Sequence, residues 1–408
     1  MSFDGGIPTG FKQTEIGPLP EDWEARSLKS LASTAANAIV GGPFGSDLVS
    51  KDYVPFGVPV IRGQNMRYPH VGGDWAYVSE EKAKSLAANT AQSGDLVFTQ
   101  RGTLGQVALI SDAPFALYLV SQSQMKISLD MRVACPEFLL CFFSSGSGQK
   151  MILESAIQTG VPHTNLGILK SYSVPLPPLP EQRAIAESLS DVDGWIAELE
   201  ALVAKKRDLK QAAAQTLLTG HTRLPGFSGD WREVTLGDVL RVCHGRSQKG
   251  VEVESGSIPI LGTGGRIGWA REPLHSGPSL LIGRKGTIDK PRYTDKPFWT
   301  VDTLFYTEFY EENVPKFFYY KALLIDWLRY NEASGVPSLS AKTIEKIEVK
   351  APFLEEQAAI ATVLSDMDTE IEALEAQLAK TRDLKTGMMQ DLLTGRVRLT
   401  TTGERRAA

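Results

Sequence analysis

Residues Glu181–Leu224 read EQRAIAESLSDVDGWIAELEALVAKKRDLKQAAAQTLLTGHTRL, and residues Glu356–Leu399 read EQAAIATVLSDMDTEIEALEAQLAKTRDLKTGMMQDLLTGRVRL. A shift of 175 residues aligns the two stretches without a gap, and about 26 of the 44 positions are identical. Self-similarity at a fixed shift indicates a structural element that is used more than once. The chain is therefore organised around this repeated stretch.

Each copy is predicted to form one long helix. Its apolar residues are spaced by four and three alternately, as in the seam of a coiled coil, and charged residues occupy the other faces. The spacing then slips and resumes at Leu209 and Leu384, which predicts a phase break near Lys205 and Lys380. Before the slip, the seam contains Ile185, Leu189, Val192, Ile196, Leu199 and Val203 in the first copy and Ile360, Leu364, Met367, Ile371, Leu374 and Leu378 in the second.

The ends and the partner of each helix follow from the same pattern. Both copies close with Thr-Gly, and Gly220 and Gly395 suit the left-handed position that ends a helix. A stripe this narrow favours a helix pair, and the nearest partner is the other copy. Antiparallel pairing would relate the two copies by a pseudo-twofold axis and carry the flanking segments to opposite ends. The alternative is two amphipathic helices that each lie on a separate domain.

Composition limits the function classes. The 408 residues exceed a single core, and 42% hydrophobic with 22% charged residues is typical of a globular protein. The chain has no apolar run long enough to span a membrane and no secretory signal, so we expect a cytoplasmic protein with no membrane contact. Its three cysteines, Cys135, Cys141 and Cys243, lack metal-site spacing and are expected to be reduced. A net charge of -5 argues against binding nucleic acid by bulk positive charge.

The segments before the two helices also correspond to each other. The first contains short β-like runs and two helical patches near Pro136–Ser144 and Gln149–Gln158. In the second, LPGFSGDWREVTL echoes LPEDWEARSL, with Trp231 in the place of Trp23, and SGVPSLS echoes TGVPHTN. We expect both Trp side chains to lie in a core. The fold class is therefore α+β, with two β-rich α/β domains, an antiparallel coiled coil and a pseudo-twofold internal repeat.

This doubled arrangement resembles the specificity (S) subunit of type I restriction–modification systems. The residues that carry the resemblance are GPLPEDW, GGPFGS, the GDLVFTQRGTLG run, and the PLPPLPEQRAIAESL and LLTG segments that open and close the helix. The second junction, KAPFLEEQAAIA, departs from the proline-rich form. The resemblance divides the chain into a first target-recognition domain (1–175), a central helix (176–224), a second target-recognition domain (225–350), a C-terminal helix (351–399) and a disordered tail (400–408).

The resemblance implies a DNA-specificity subunit that is not an enzyme. Each domain would read one half of a bipartite, asymmetric site in double-stranded DNA, while the helices set the spacer and dock two methyltransferase (M) subunits. Restriction/translocase (R) subunits would join that core. S-adenosylmethionine, ATP and Mg are expected on the partner subunits, with no cofactor or metal in this chain. The sequence agrees, because it has neither an NPPY- or DPPY-type methyltransferase motif nor a Walker A motif.

The candidate DNA-binding residues are polar, basic or turn-forming side chains in loops that a sheet would carry. Arg, Asn and Gln have forked groups that suit guanine and adenine edges, whereas other basic residues would contact phosphates. In the first domain the candidates are Gly42, Pro43, Phe44, Gly45, Ser46, Lys51, Arg62, Gln64, Asn65, Arg67, Gln100, Arg101 and Thr103. In the second they are His244, Arg246, Ser247, Lys249, Thr263 and Arg266, together with a basic cluster of Arg284, Lys285, Thr287, Lys290 and Arg292. For any one residue the alternative is a solvated charge or a turn.

Two other functions stay open at this point. One is a stand-alone enzyme acting on DNA, such as a nuclease; the lone Glu348-Val349-Lys350 has the ExK form but no acidic partner, and it suits the solvent side of a short strand better. The other is a coiled-coil scaffold with two protein-binding domains.

Overall fold

A computed structural model describes residues 7–66, 69–111, 114–158 and 160–399 of the chain. The candidate Arg67 and the predicted tail, residues 400–408, lie outside the described residues. The chain divides into two compact units. Unit 1 comprises Met1–Glu198 and Leu378–Ala408, and unit 2 comprises Leu199–Gln377.

Unit 1 contains two larger sheets, two separate strand pairs and several short helices. One sheet has the strand order β10-β9-β12-β4 and is antiparallel; the other has the order β5-β7-β6-β11-β8, with β6 and β11 parallel. The strands are β1 (Phe11–Thr14), β2 (Gly17–Pro20), β3 (Glu24–Ser27), β4 (Ile39–Gly41), β5 (Tyr53–Val54), β6 (Val58–Ile61), β7 (Ala76–Val78), β8 (Thr90–Ala91), β9 (Leu96–Thr99), β10 (Val107–Leu109), β11 (Tyr118–Val120), β12 (Gln124–Ile127) and β13 (Ser173–Leu176). The short helices are α1 (Leu28–Leu31), α2 (Glu80–Ser85), α3 (Pro136–Ser144), α4 (Gly146–Glu154) and α5 (Leu166–Ser171). β13 pairs antiparallel with β3 and leads to the first long helix, α6 (Leu179–Leu217).

Unit 2 repeats this arrangement. Its sheets have the orders β15-β22-β19-β20 and β16-β18-β17-β21, and β17 and β21 are parallel, as β6 and β11 are in unit 1. The strands are β14 (Arg232–Thr235), β15 (Leu240–Cys243), β16 (Glu252–Val253), β17 (Ile258–Gly262), β18 (Gly265–Ala270), β19 (Ser279–Gly283), β20 (Arg292–Thr294), β21 (Trp299–Thr300), β22 (Leu304–Phe309) and β23 (Glu348–Ala351). The helices are α7 (Leu236–Val239), α8 (Pro315–Ala322), α9 (Ala341–Glu345) and the second long helix, α10 (Leu354–Leu392). Glu348 and Lys350 are the exposed residues of β23, as expected for a solvent-facing strand.

The two long helices pack against each other in antiparallel directions, which confirms the predicted fold. Within unit 1, Lys385 of α10 donates to Asp193 of α6; within unit 2, Lys210 of α6 donates to Asp368 of α10. Each pair joins a residue late in one helix to a residue early in the other. The pairs correspond through the 175-residue shift, so the interface repeats as well as the sequence.

The predicted phase break is wrong. Both helices are continuous over 39 residues. In α6 the half-buried or buried positions after Val203 include Lys206, Lys210, Ala213 and Leu217, which continue the alternation of three and four. Leu209 and Leu384 point away from the seam and are 48% and 53% exposed. The apolar stem of a lysine can pack in the seam while its ammonium pairs with a carboxylate. A lysine therefore occupies a seam position that the apolar pattern assigned to the surface.

Each long helix begins at a buried glutamine that joins it to its unit. The Gln182 amide donates to Pro177 O at 2.8 Å and accepts from Cys135 N at 2.8 Å. Gln357 makes the matching bonds to Pro352 O at 2.9 Å and from Val314 N at 3.0 Å. Both glutamines are 0% exposed. The helix starts are therefore fixed by hydrogen bonds within the cores.

Each long helix also ends at the start of the other. Arg398, which follows α10, donates from Nε and Nη2 to the two oxygens of Glu181, both at 2.8 Å. Arg223, which follows α6, donates in the same way to Glu356, both at 2.6 Å. Gly220 and Gly395 have φ values of 76° and 70°, as predicted, and turn the chain towards these contacts. We call the two pairs the unit 1 clamp and the unit 2 clamp.

A Trp side chain adjoins each clamp, Trp23 in unit 1 and Trp231 in unit 2. Trp23 is 0% exposed and its Nε1 donates to Glu181 at 3.1 Å, which confirms its predicted place in the core. Trp231 is half-buried, and its Nε1 makes no hydrogen bond within the described part of the chain. Hydrogen bonding to Glu181 raises the pKa of Arg398, so its charge persists at every accessible pH.

Replacing Arg398 by Met should destabilise unit 1. The Glu181 side chain is 4% exposed and would lose its charged partner, which costs about 3 kcal/mol of unfolding free energy. Differential scanning calorimetry of the purified chain measures the loss. Arg223→Met is the matched variant for Glu356, and Glu181→Gln combined with Arg398→Met should recover part of the loss. A melting profile of Arg398→Met equal to that of the unchanged chain would contradict the role of the clamp.

Candidate nucleic-acid interface

The loop surface of unit 1 lies where strands β4, β6, β9 and β11 end. Gly42 opens the loop after β4, and its N–H donates to Gln124 O at 2.9 Å. A Cβ on Gly42 would lie 1.9 Å from Ser121 O, so only glycine allows this approach. The Gln122 side chain donates to Gly45 O at 2.7 Å and to Leu48 O at 2.9 Å. The turn 42–46 is therefore fixed, and the Phe44 side chain on it is 79% exposed.

The loop after β6 contains both exposed and structural residues. Asn65 is 0% exposed; its amide donates to Gly72 O and Asp74 O and accepts from Arg62 N. It therefore holds the loop in shape and does not face solvent. Gln64 is exposed and Arg62 is half-buried.

The loop after β9 is joined to two loops that were not among the candidates. The N–H groups of Gln100 and Arg101 donate to Ser123 O at 2.7 and 3.3 Å. Gln100 O accepts from Thr164 N at 2.9 Å, and Arg101 pairs with His163 in an isolated bridge. We call the residues 42–46, 62–65, 100–103, 121–124 and 160–164 the first loop surface.

The structure thus places the unit 1 candidates at different depths on the first loop surface, except Lys51, which lies in the turn Ser50–Asp52, and Arg67, which is outside the described residues. Gly42, Pro43 and Asn65 are buried and support it. Arg62 and Gln100 are half-buried. The exposed candidates are Phe44, Gly45, Ser46, Lys51, Gln64, Arg101 and Thr103.

Unit 2 carries a corresponding surface. Gly245 approaches Val301 O so closely that a Cβ would lie 2.0 Å away. Arg246 N donates to Thr300 O at 2.8 Å, and Trp299 Nε1 donates to Arg246 O at 3.0 Å. The turn after β15 is therefore pinned to the β21 end, as the turn after β4 is pinned in unit 1.

The basic loop after β19 makes the same main-chain bonds as the loop after β9. The N–H groups of Arg284 and Lys285 donate to Thr303 O at 2.8 and 3.3 Å. Arg284 O accepts from Leu339 N at 2.9 Å, and Lys285 pairs with Ser338 in an isolated bridge. We call the residues 244–247, 262–266, 284–287, 300–303 and 336–339 the second loop surface.

The hairpin of β17 and β18 is tied to this surface through Arg292. This residue lies on β20 and not in the loop with Arg284; its Nη2 donates to Gly262 O, and burial lowers its pKa. The Arg266 guanidinium lies 4.3 Å from the Trp269 ring centre. Exposed candidates are His244, Arg246, Ser247, Lys249, Arg266, Lys285 and Lys290; half-buried candidates are Thr263, Arg284, Thr287 and Arg292.

Sequence reasoning missed Gln122, Ser123 and His163, which the fold brings beside the candidate loops. The available indication was the pair TGVPHT and SGVPSL, which recur one shift apart and supply the 160–164 and 336–339 loops. In the described residues there is no cluster of His, Cys, Asp and Glu side chains suited to a metal ion. None of the described helices has the length and apolar character to cross a bilayer. The two surfaces instead present amide, hydroxyl and guanidinium groups.

Comparison with known proteins identifies the family. The sequence profile described as the type I restriction modification DNA specificity domain matches residues 20–211 and again residues 228–381. The chain belongs to this family. It carries two copies of the specificity domain, which confirms the resemblance seen in the sequence and its identification as a type I specificity subunit with two recognition domains. The family does not favour the alternative of a coiled-coil scaffold with protein-binding domains.

Named relatives agree with this assignment. The chain is 26% identical over 428 aligned residues to the putative type I restriction enzyme MjaX specificity subunit of Methanocaldococcus jannaschii, and the match covers 96% of this chain and 97% of the relative. It is 24% identical to the type I restriction enzyme MjaVIII specificity subunit of the same organism, over 68% of this chain and 74% of the relative.

Solved structures share the fold. The type I restriction–modification S subunit from M. genitalium superposes with a TM-score of 0.63 at 21% identity, over 91% of this chain and 96% of that one. The HsdS subunit from Thermoanaerobacter tengcongensis gives a TM-score of 0.50 at 17% identity, over 92% and 98%. The two specificity domains therefore stand on an architecture known from experiment.

Replacing Gly42 by Ala should displace the turn of the first loop surface. The new Cβ would overlap Ser121 O, and relieving such a clash costs about 1–3 kcal/mol. A melting experiment and the DNA binding of the assembled complex measure the two effects. Gly72→Ala is the control in the same unit, because a Cβ there meets nothing within 4 Å. If Gly42→Ala behaves like Gly72→Ala in both measurements, the turn is not held as described.

Proposed function

We propose that each recognition domain reads one half of a bipartite, asymmetric site in double-stranded DNA. The observation that carries the proposal is the pair of loop surfaces. Both share the main-chain hydrogen bonds of the loop after β9 or β19 and a glycine that approaches a carbonyl closely. They nevertheless present different side chains, such as Gln100 against Arg284 and, two residues after that glycine, Phe44 against Ser247. A common frame with different side chains is suited to reading two different sequences.

The proposal assigns the chemistry to other subunits. This chain would be non-catalytic and bind no cofactor, while S-adenosylmethionine, ATP and Mg would act on the methyltransferase and restriction subunits. Two M subunits would dock on the long helices, R subunits would join the complex, and assembly would take place in the cytoplasm. The sequence supports this division through its missing methyltransferase and Walker A motifs.

Charge bears on the affinity of the isolated chain. Its net charge is -5, and the described unit 1 candidates include few cations: Arg62 and Arg101 on the first loop surface, and Lys51 outside it. The unit 2 candidates include more cations: Arg246, Arg266, Arg284 and Lys285 on the second loop surface, and Lys249, Lys290 and Arg292 outside it. We propose that the isolated chain binds DNA weakly with a steep salt dependence, and that partner subunits supply further phosphate contacts.

Co-expression with an adenine methyltransferase subunit of the same system should give methylation at a two-part motif with a fixed gap. Single-molecule sequencing of genomic DNA maps the modified adenines, and cells that lack this chain are the control. A continuous motif, or methylation that does not require this chain, would contradict the proposed function.

The long helices should set the gap between the two half-sites. Adding seven residues after Ala201 and after Ala376, which correspond in the repeat, keeps the spacing of three and four in both helices. Each helix grows by about 10 Å, or about three base pairs at 3.4 Å per step, so the methylated motif should gain about three unspecified base pairs.

The control replaces the seven residues that follow Ala201 by the seven that follow Ala376, and the reverse, so that the length of each helix does not change. The control should keep the original gap. In the insertion variant and in the control, both half-site sequences should be the same as for the unmodified complex. An unchanged gap, or altered half-site bases, would contradict the spacing role.

A further inference from the structure

Gln100 and Arg284 occupy the same position in the repeated frame. Gln100 directly follows β9 and Arg284 directly follows β19. The N–H of Gln100 donates to Ser123 O, and the N–H of Arg284 donates to Thr303 O. Each also accepts a main-chain bond from the loop that contains the sequence Gly-Val-Pro, which we call the GVP loop (160–164 in unit 1 and 335–339 in unit 2). The donors are Thr164 N and Leu339 N. The two backbones are therefore held alike from both sides, and only the side chains differ.

Both side chains are half-buried at the rim of their loop surface. The Gln100 amide makes no hydrogen bond within the described residues of the chain. Its Oε1 lies 3.5 Å from where a Cβ on Gly41 would stand. Arg284 donates from Nη1 to Asp302 O at 3.1 Å, which orients the guanidinium and leaves its other N–H groups for a ligand. Both side chains therefore present a forked hydrogen-bonding edge, and that of Arg284 is oriented by its bond to Asp302 O.

The residue that follows Gln100 or Arg284 is similar in the two units. Arg101 and Lys285 are both cationic and exposed, and both sit in an isolated bridge with the GVP loop. Two half-sites of different sequence have the same phosphate backbone, so a side chain that is similar in both domains is suited to binding phosphate. A side chain that differs at a fixed backbone position suits a base.

We propose that Gln100 and Arg284 are equivalent base-reading residues, with Gln100 specifying adenine and Arg284 specifying guanine. The Gln amide matches N6 and N7 of adenine as a donor and an acceptor, and the guanidinium matches O6 and N7 of guanine as two donors. Arg101 and Lys285 hold the adjacent phosphate in both half-sites. This inference rests on the proposed function, because it takes each loop surface as the reader of one half-site.

The test exchanges the two side chains in the assembled methyltransferase complex. Gln100→Arg should change one adenine of the first half-site to guanine in the methylation map, and Arg284→Gln should change one guanine of the second half-site to adenine. All other positions should be unaltered. In a methylation assay with both DNA sequences, the preference at that position should shift by about tenfold to a hundredfold.

The matched control exchanges the neighbouring pair, with Arg101→Lys and Lys285→Arg. These variants should keep both half-site sequences and alter only affinity and its salt dependence. Should an exchange variant fail to assemble, Gln100→Ala and Arg284→Ala take its place, and each should make one base pair of its half-site degenerate.

The outcomes separate this inference from the proposed function. A bipartite motif for the unchanged complex, with no base altered by any variant at positions 100 and 284, would overturn the assignment and leave the proposed function standing. A change of base in the motif caused by Arg101→Lys or Lys285→Arg would also overturn it. Absence of a bipartite motif for the unchanged complex would contradict the proposed function itself.

Discussion

The unit 1 and unit 2 clamps are the contacts on which the architecture depends. A forked guanidinium faces a carboxylate that is 4% exposed, so each charge is compensated inside its unit by two parallel hydrogen bonds. The arginine follows the end of one long helix and the glutamate begins the other. Each helix therefore contributes to both cores: Ile185 and Leu189 of α6 share the unit 1 core with Leu392 of α10 and with Leu393, which follows it. In unit 2, Leu217 of α6 packs with Ile360 and Leu364 of α10.

The two clamps are similar but not identical. Arg398 also binds Asp22, at 2.8 and 2.6 Å, and this contact lowers the pKa of Asp22. Glu181 further accepts from Trp23 Nε1, whereas Trp231 Nε1 donates to no group in the described residues. In place of these bonds, Arg223 and Lys321 lie over the Trp231 ring at 5.8 and 5.3 Å. The unit 1 clamp thus has more hydrogen bonds, and the unit 2 clamp has more contacts between cations and the aromatic ring.

Much of the fold follows from the sequence because the repeat is long and its period is regular. The helix pair, its antiparallel direction, the left-handed Gly220 and Gly395 and the core position of Trp23 were all predicted. The phase break was wrong because the apolar pattern counts Lys206 and Lys210 as surface residues, while their stems lie in the seam. The predicted domain boundaries and the DNA contacts stay predictions. A hydropathy pattern has no means of locating Ser123 and His163, which lie in two different loops and contact Arg101 only in the folded chain, or Gln122, which bonds to the turn 42–46.

The division into units has a consequence for synthesis. Unit 2 is one continuous stretch, Leu199–Gln377, whereas unit 1 needs Leu378 onwards to complete its core. Because the ribosome adds residues in order, the part of the unit 1 core that Leu392 and Leu393 cover stays exposed until all of unit 2 has been made. Segments distant in sequence close slowly, and exposed apolar surface in such an intermediate favours aggregation. Unit 2 can therefore mature first, and the last helical turns of α10 finish unit 1.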